Sequence, residues 1–421
     1  MNKLALLFPG QGAQYVQMGK KLYEEFGAAK EVFEEANEAL GFDLKRLCFE
    51  GDLEELTKTE NAQPAILTAS VAAFKVYMDQ VGVLPVCAAG HSLGEYTALT
   101  CSGAIQFGDA VKLVKQRGRF MQEAAASGLG LMAAVGDLDI KLIEEECRKA
   151  SSIDNIVVVS NYNSPSQTVI SGHKEAVEKV GQRFVEMGGI VTYLNVSAPF
   201  HSPIMQVAAD RLKEELVKYK YNNFKFPVIS NFTALPYEST EKIVENLTKQ
   251  LVAPVQWVSS MQHLAKIGVD TVVELGPKNI LRNLMKKNIS SIKGYAYDNS
   301  DDVEALLKES KKLAEDRANG PTVVTRCMAI AVCTRNRNWN NDEYKKGVIE
   351  PYKKIEQMQE QIEESSSRPT LEQMEAALKM LKSVFDTKHT PIEEQIERFN
   401  QIFDETGTRH LFNDFKMQVM D

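Results

Sequence analysis

No stretch of the 421-residue chain approaches the roughly 20 consecutive apolar residues that a membrane-spanning helix needs. The first apolar run, residues 4–8, is cut off by Pro9 and is too short for the core of a secretory signal. The chain therefore reads as cytoplasmic, with no membrane partner. A basic excess is missing too: 49 Lys and Arg against 57 Asp and Glu give a formal net charge of -8. That argues against a nucleic-acid partner, since duplex-binding domains carry a positive footprint. Six cysteines, Cys48, Cys87, Cys101, Cys147, Cys327 and Cys333, form no C-x-x-C and no His–Cys ligand spacing. They read as buried or free thiols, and no metal site is expected. A dinucleotide fingerprint is also lacking. After the apolar run at 4–8, Gly10 and Gly12 are followed by Tyr15 where a third glycine is needed, and a near match at 128–133 precedes a strand instead of following one. No cofactor is expected. Histidine is scarce, six in the whole chain, so each one can be weighed as a candidate base.

What is present is the composition of a globular protein, 44% apolar and 25% charged, in a chain long enough for about two or three domains. Residues 86–96 run from a short apolar strand through Gly90-His91-Ser92-Leu93-Gly94 into helix-forming sequence. A serine at such a turn is held exposed at the end of a sheet, and the flanking glycines let strand and helix approach closely. G-x-S-x-G alone arises by accident in roughly one chain in ten of this length, so the context carries the argument.

Arg117 lies on a helix predicted over about 107–125, with Leu113 and Val114 one turn before it and Phe120 and Met121 one turn after. At helical spacing it points to the same side as these four apolar residues, whereas Arg119 is bracketed by polar ones. Most helical arginines are solvated, but one aimed into a core needs an anion. His201 stands just outside a helix start marked by Ser202 as N-cap and Pro203 at the first helical position. The other five histidines sit at helix starts, in polar helical runs or beside Ser92, which makes His201 the candidate base, with a purely structural histidine as the open alternative.

The chain in order predicts a strand at 4–8 and mainly helical sequence over 16–85, with Pro64 at a helix start. From about 129 short elements follow in the order β-α-β-β-α-β, that of a ferredoxin-like unit: 131–135, 140–150, 156–160, 168–171, 173–187 and 190–196. Alternating helices and strands then resume to about 315, implying a mostly parallel sheet covered on both faces. The expected domains are a large α/β domain of 1–128 and 198–315, a small inserted one of 129–197, and a mainly helical extension of 322–421. In that extension three helices each carry one apolar stripe. They start at Asn340 with Glu343, at Thr370 with Gln373, and at Thr390 with Glu393 and Pro391.

Six separated stretches occur in order: Phe8-Pro9-Gly10-Gln11-Gly12, Gly90-His91-Ser92-Leu93-Gly94-Glu95-Tyr96, Gln116-Arg117-Gly118, Asn161-Tyr162-Asn163-Ser164-Pro165, Ala198-Pro199-Phe200-His201-Ser202 and Pro254-Val255-Gln256-Trp257. On these, residues 1–310 resemble the malonyl-CoA:acyl carrier protein transacylases and the related acyltransferase domains of polyketide synthases. The resemblance implies an α/β-hydrolase-like large domain. It implies malonyl transfer from malonyl-CoA to the phosphopantetheine thiol of an acyl carrier protein, for fatty-acid synthesis or a polyketide synthase assembly line. By the same resemblance Ser92 is the nucleophile, His201 the base, and the N–H groups of Gln11 and Leu93 the oxyanion hole. Arg117 grips the malonyl carboxylate, the main-chain carbonyl of Gln250 orients His201, and Phe200 marks malonyl-selective members. A serine thioesterase or acyl hydrolase and a non-catalytic carrier-binding module are the alternatives. Housekeeping members usually lack the C-terminal extension, which reads as a stabilising appendage or a docking element and favours a dedicated biosynthetic pathway.

Overall fold

The computed structural model describes residues 3–125, 128, 130–194, 198–365 and 367–412. The chain divides into two compact units, Met1–Ser310 and Lys311–Asp421. The first contains two sheets. One holds β1 (Leu4–Phe8), β2 (Cys87–Gly90), β7 (Val228–Ile229), β8 (Thr271–Glu274) and β9 (Lys293–Ala296) in the order β7-β2-β1-β8-β9, every pairing parallel. β1, β2, β7 and β8 are buried on both faces, which is why β1 is the unbroken apolar run Leu4-Ala5-Leu6-Leu7-Phe8 and not an alternating one. Parallel register matters for the site. Phe8 pairs with Gly90, and Ala89 with Ile229, so the turns that follow three neighbouring strands emerge side by side at one edge, where α/β sheets place their ligands.

The second sheet holds β3 (Gly130–Gly136), β4 (Val157–Ser164), β5 (Gln167–His173) and β6 (Ile190–Tyr193), antiparallel in the order β4-β5-β3-β6, with the helices Ile140–Ala150 and Lys174–Glu186 between them. This is the ferredoxin-like pairing. The end of the expected strand at 195–196 and the expected domain boundaries at 128/129 and 197/198 involve residues outside the described ones. Strand β4 also touches the first sheet's helical layer: Val255 donates to the Ser160 carbonyl and Tyr162 to that of Val255, at 2.9 and 3.0 Å. Two of the six sequence stretches thus meet here.

Local expectations needed correction at caps. Pro64 does not open a helix; it lies inside Thr59–Gln80, whose start is at Thr59. The chain absorbs it early in the helix because a proline removes one intrahelical bond and the surrounding turns are packed in the core. Ser202 does stand before the short 3-10 turn Pro203–Met205, but its hydroxyl donates back to the Pro199 carbonyl at 2.6 Å instead of capping.

The second unit has its own core, built from Val324, Cys327, Leu378, Leu381, Phe385, Ile402 and their neighbours. Its apolar run at 323–333 is a helix capped by Thr322. Asn340 and Thr370 cap as expected, Thr370 reciprocally with Gln373. Thr390 does not: the last helix, Ile392–Thr406, starts one residue later, with Pro391 as its N-cap. No helix among the described residues is long and apolar enough to cross a membrane.

Candidate active site

Ser92 occupies a backbone conformation that L-residues rarely adopt, φ 52° and ψ -105°. It connects β2 to the helix Leu93–Cys101 in a turn with no room for side chains on either flank. A Cβ on Gly90 would lie 1.9 Å from the Gly94 carbonyl carbon, and one on Gly94 would lie 2.0 Å from the Phe8 carbonyl oxygen. Strain of this kind costs of order 1–3 kcal/mol and persists only where its surroundings enforce it. Here Asn231, just beyond β7, does so: its Oδ1 accepts from the Ser92 N–H at 2.7 Å and its Nδ2 donates to the Gly90 carbonyl at 2.6 Å.

The Ser92 hydroxyl lies 2.8 Å from His201 Nε2, and His201 Nδ1 lies 2.7 Å from the main-chain carbonyl of Gln250 in the helix Lys242–Val252. A carbonyl can only accept, so Nδ1 carries the proton and Nε2 presents its lone pair to the serine. His201 is buried, itself at positive φ. Burial first, and then the nearby charge of Arg117, pushes its pKa down to about 3.

Arg117 is 1% exposed, as its helical phase predicts for a core-facing position, while Arg119 is exposed. Its Nη2 donates to Ser92 Oγ at 3.2 Å and to Gln250 Oε1 at 2.9 Å, its Nη1 donates to Gln63 Oε1 at 2.8 Å, and the guanidinium lies over the Tyr96 ring. Gly118 lets the two helices approach: a Cβ there would meet the Thr59 carbonyl at 2.5 Å. Among the described residues no carboxylate bonds to this guanidinium, so its hydrogen-bond partners there are neutral and leave room for an anion.

The N–H groups of Gln11 and Leu93 stand at the ends of the adjacent strands β1 and β2. Leu93 is the first residue of its helix, so its N–H has no intrahelical acceptor, and the Gln11 N–H bonds to nothing among the described residues. The cleft above them encloses about 420 Å³ and includes Gln11, Ser92, His201 and Phe200, with apolar walls from Met121, Met132, Val169 and Leu284. Among the described residues no cluster of side chains is suited to hold a metal ion.

Sequence reasoning missed Asn231, Gln63 and Glu95. A signal existed for the last two, each a polar residue in a helical run otherwise fit for burial. Asn231, in a loop, carried none.

Residues 5–314 match the family model described as the acyl transferase domain. A malonyl CoA-acyl carrier protein transacylase of Bacillus subtilis is 41% identical over 397 residues, 94% of this chain and 99% of that one. One from Escherichia coli strain K12 is 42% identical over 309 residues, 73% of this chain and all of that one. A solved structure of a type II polyketide synthase acyl carrier protein in complex with its malonyl-transacylase superposes with a TM-score of 0.71 at 38% identity, covering 73% of this chain and 99% of that one. The chain belongs to the acyl transferase domain family, among the malonyl CoA-acyl carrier protein transacylases.

Proposed function

We propose that this protein transfers malonyl from malonyl-CoA to the phosphopantetheine thiol of an acyl carrier protein, in the cytoplasm, through an ester on Ser92. The single observation that carries the reading is the position of Arg117: a buried guanidinium 3.2 Å from the serine hydroxyl, whose hydrogen-bond partners among the described residues are all neutral. An acyl group on Ser92 that ends in a carboxylate supplies the missing anion; a plain fatty acyl group would bring a chain that leaves this charge unpaired.

The chemistry follows from the residues. His201 Nε2 takes the hydroxyl proton as Ser92 Oγ attacks the thioester carbonyl. The N–H groups of Gln11 and Leu93 receive the negative oxygen, each worth on the order of 3 kcal/mol in the transition state. The tetrahedral intermediate collapses, coenzyme A leaves as thiol with the proton from His201, and the malonyl ester remains. The carrier's thiol then gives its proton to His201 and attacks the ester, and Ser92 leaves protonated. Phe200, at the cleft wall beside His201, narrows the space around the malonyl α-carbon. The same dyad would serve a thioesterase, with water as the second acceptor. Mass spectrometry of a phosphopantetheinylated carrier protein incubated with enzyme and malonyl-CoA separates the two. Malonyl-carrier is expected; free malonate with unmodified carrier would establish a hydrolase.

The pathway reading is fatty-acid or polyketide synthesis, and the second unit bears on it. The 397 residues aligned with the Bacillus subtilis relative exceed the 310 of the first unit, whereas the whole Escherichia coli relative aligns over only 309 residues. A chain of this length is therefore shared by some members, while others are about the length of the first unit alone. Every residue lining the cleft lies in the first unit. Truncation after residue 316 should leave malonyl loading of a generic carrier unchanged, as checked by the same assay. A folded truncation that no longer malonylates itself would place the extension in the chemistry.

A further inference from the structure

One buried acid near the site has no part in the mechanism above. Glu95 sits one helical turn from Ser92 and is completely buried. Its Oε1 accepts from the Tyr237 hydroxyl at 2.5 Å, and its Oε2 accepts from Gln250 Nε2 at 2.8 Å and from the Asn231 N–H at 3.1 Å. The Ser230 hydroxyl donates to it as well, and all four donors are neutral. Burial pushes its carboxyl up to about 7 while these donors pull it back, so the chain keeps an acid where an apolar residue would be easier to bury.

The Gln250 amide explains what the acid does. Its Nε2 donates both to Glu95 Oε2 and to the Ser92 carbonyl, at 2.8 Å each, while its Oε1 accepts from Arg117 Nη2. Turned over, the amide would set its oxygen against a carboxylate and a carbonyl and its nitrogen against a guanidinium, an arrangement with no hydrogen bond on either side. Carboxylate, amide and guanidinium thus form a polar chain in which each end determines the direction of the middle.

We propose that Glu95 is a positioning residue that, through the side-chain amide of Gln250, holds the Arg117 guanidinium at the distance from Ser92 Oγ where it meets the malonyl carboxylate. The inference rests on the reading of Arg117 as that carboxylate's partner. Glu95 touches neither substrate nor reacting atoms. Loss of its side chain therefore acts on acyl selectivity more than on the chemistry of ester formation, because the Ser92 hydroxyl, the His201 ring and the Gln250 main-chain carbonyl do not bond to its carboxyl.

The test is the ratio of malonyl to acetyl loading of the enzyme, measured from radiolabelled malonyl-CoA and acetyl-CoA in single turnovers. Glu95→Ala is expected to lower kcat/KM for malonyl loading by about a hundredfold, the scale on which a ~1 Å misplacement of a positioning group acts, and acetyl loading much less. Glu95→Gln should restore the ratio: its oxygen accepts from Gln250, and its amide donates to the Tyr237 hydroxyl, which can turn to accept. A folded Glu95→Ala protein with the wild-type ratio, or a folded Glu95→Gln protein as impaired as the alanine variant, would overturn the inference. If Glu95→Ala does not fold, Glu95→Asp decides. It keeps the charge but stops one methylene short of Gln250, so a lowered ratio supports the inference and an unchanged one overturns it. Arg117→Ala run in parallel separates the two readings. If it shifts the ratio and the Glu95 variants do not, only the inference about Glu95 fails; if it does not, the carboxylate reading itself fails.

Discussion

Ser92→Ala will carry no malonyl ester and will not load carrier protein, while His201→Ala will form the ester about 10⁴-fold more slowly than wild type, the upper end of what a positioned general base contributes. Both follow from the 2.8 Å contact between Ser92 Oγ and His201 Nε2. Without the imidazole the hydroxyl proton must go to water, and the oxyanion donors act on a reaction that seldom starts. The histidine is oriented by the Gln250 carbonyl at 2.7 Å, so no Asp or Glu variant should match the effect of His201→Ala. One that did would show that a carboxylate completes the relay. Rapid-quench measurement of ester formation checks these expectations. The pH profile offers a further check. His201 is held neutral by burial and by the charge of Arg117, its pKa pushed down to about 3. A base must be neutral to act, so kcat/KM should not fall as pH drops through about 6.5, where a free imidazole becomes charged. A His201-dependent loss centred there would show that the residue is solvated.

Arg117→Ala should lower malonyl turnover by a factor of a hundred to a few thousand, since removing one partner of a buried charged pair costs about 3–5 kcal/mol. Acetyl transfer should fall far less, because an acetyl ester has no carboxylate to pair and the variant no longer buries an unpaired charge beside it. A planar fork can meet a carboxylate with two parallel bonds, whereas a lysine offers a point charge, so Arg117→Lys should recover only part of the loss. Losing Arg117 also frees Gln63 Oε1 and Gln250 Oε1, both buried, and some general loss will come from those orphaned acceptors. The ratio of malonyl to acetyl loading removes that common factor. An unchanged ratio would return Arg117 to a structural role.

Much of what depends on neighbours along the chain was legible in the amino-acid sequence. Strand, tight turn and helix around Ser92 were legible because Gly90 and Gly94 bracket it at fixed offsets and no other residue fits there. Arg117 was legible as core-facing because helical phase alone sets which side it occupies, and the small antiparallel unit because its elements follow one another without interruption. Helix starts were less secure. Ser202, Pro64 and Thr390 all carry capping chemistry, yet tertiary packing moved each helix boundary or gave the polar atom another role. The partners came from the tertiary structure. Ser92 and His201 are 109 residues apart, Ser92 and Asn231 139, Glu95 and Gln250 155, and no periodicity spans such distances. Ser92 and Asn231 meet because parallel pairing of β2 and β7 brings two strand ends to one edge, while His201 arrives on the turn before Pro203 and Gln250 on the helix Lys242–Val252. Burial there leaves each polar group dependent on whichever donor or acceptor the fold delivers. That dependence turns Glu95, in sequence just one acid within a helical motif, into part of the frame around Ser92.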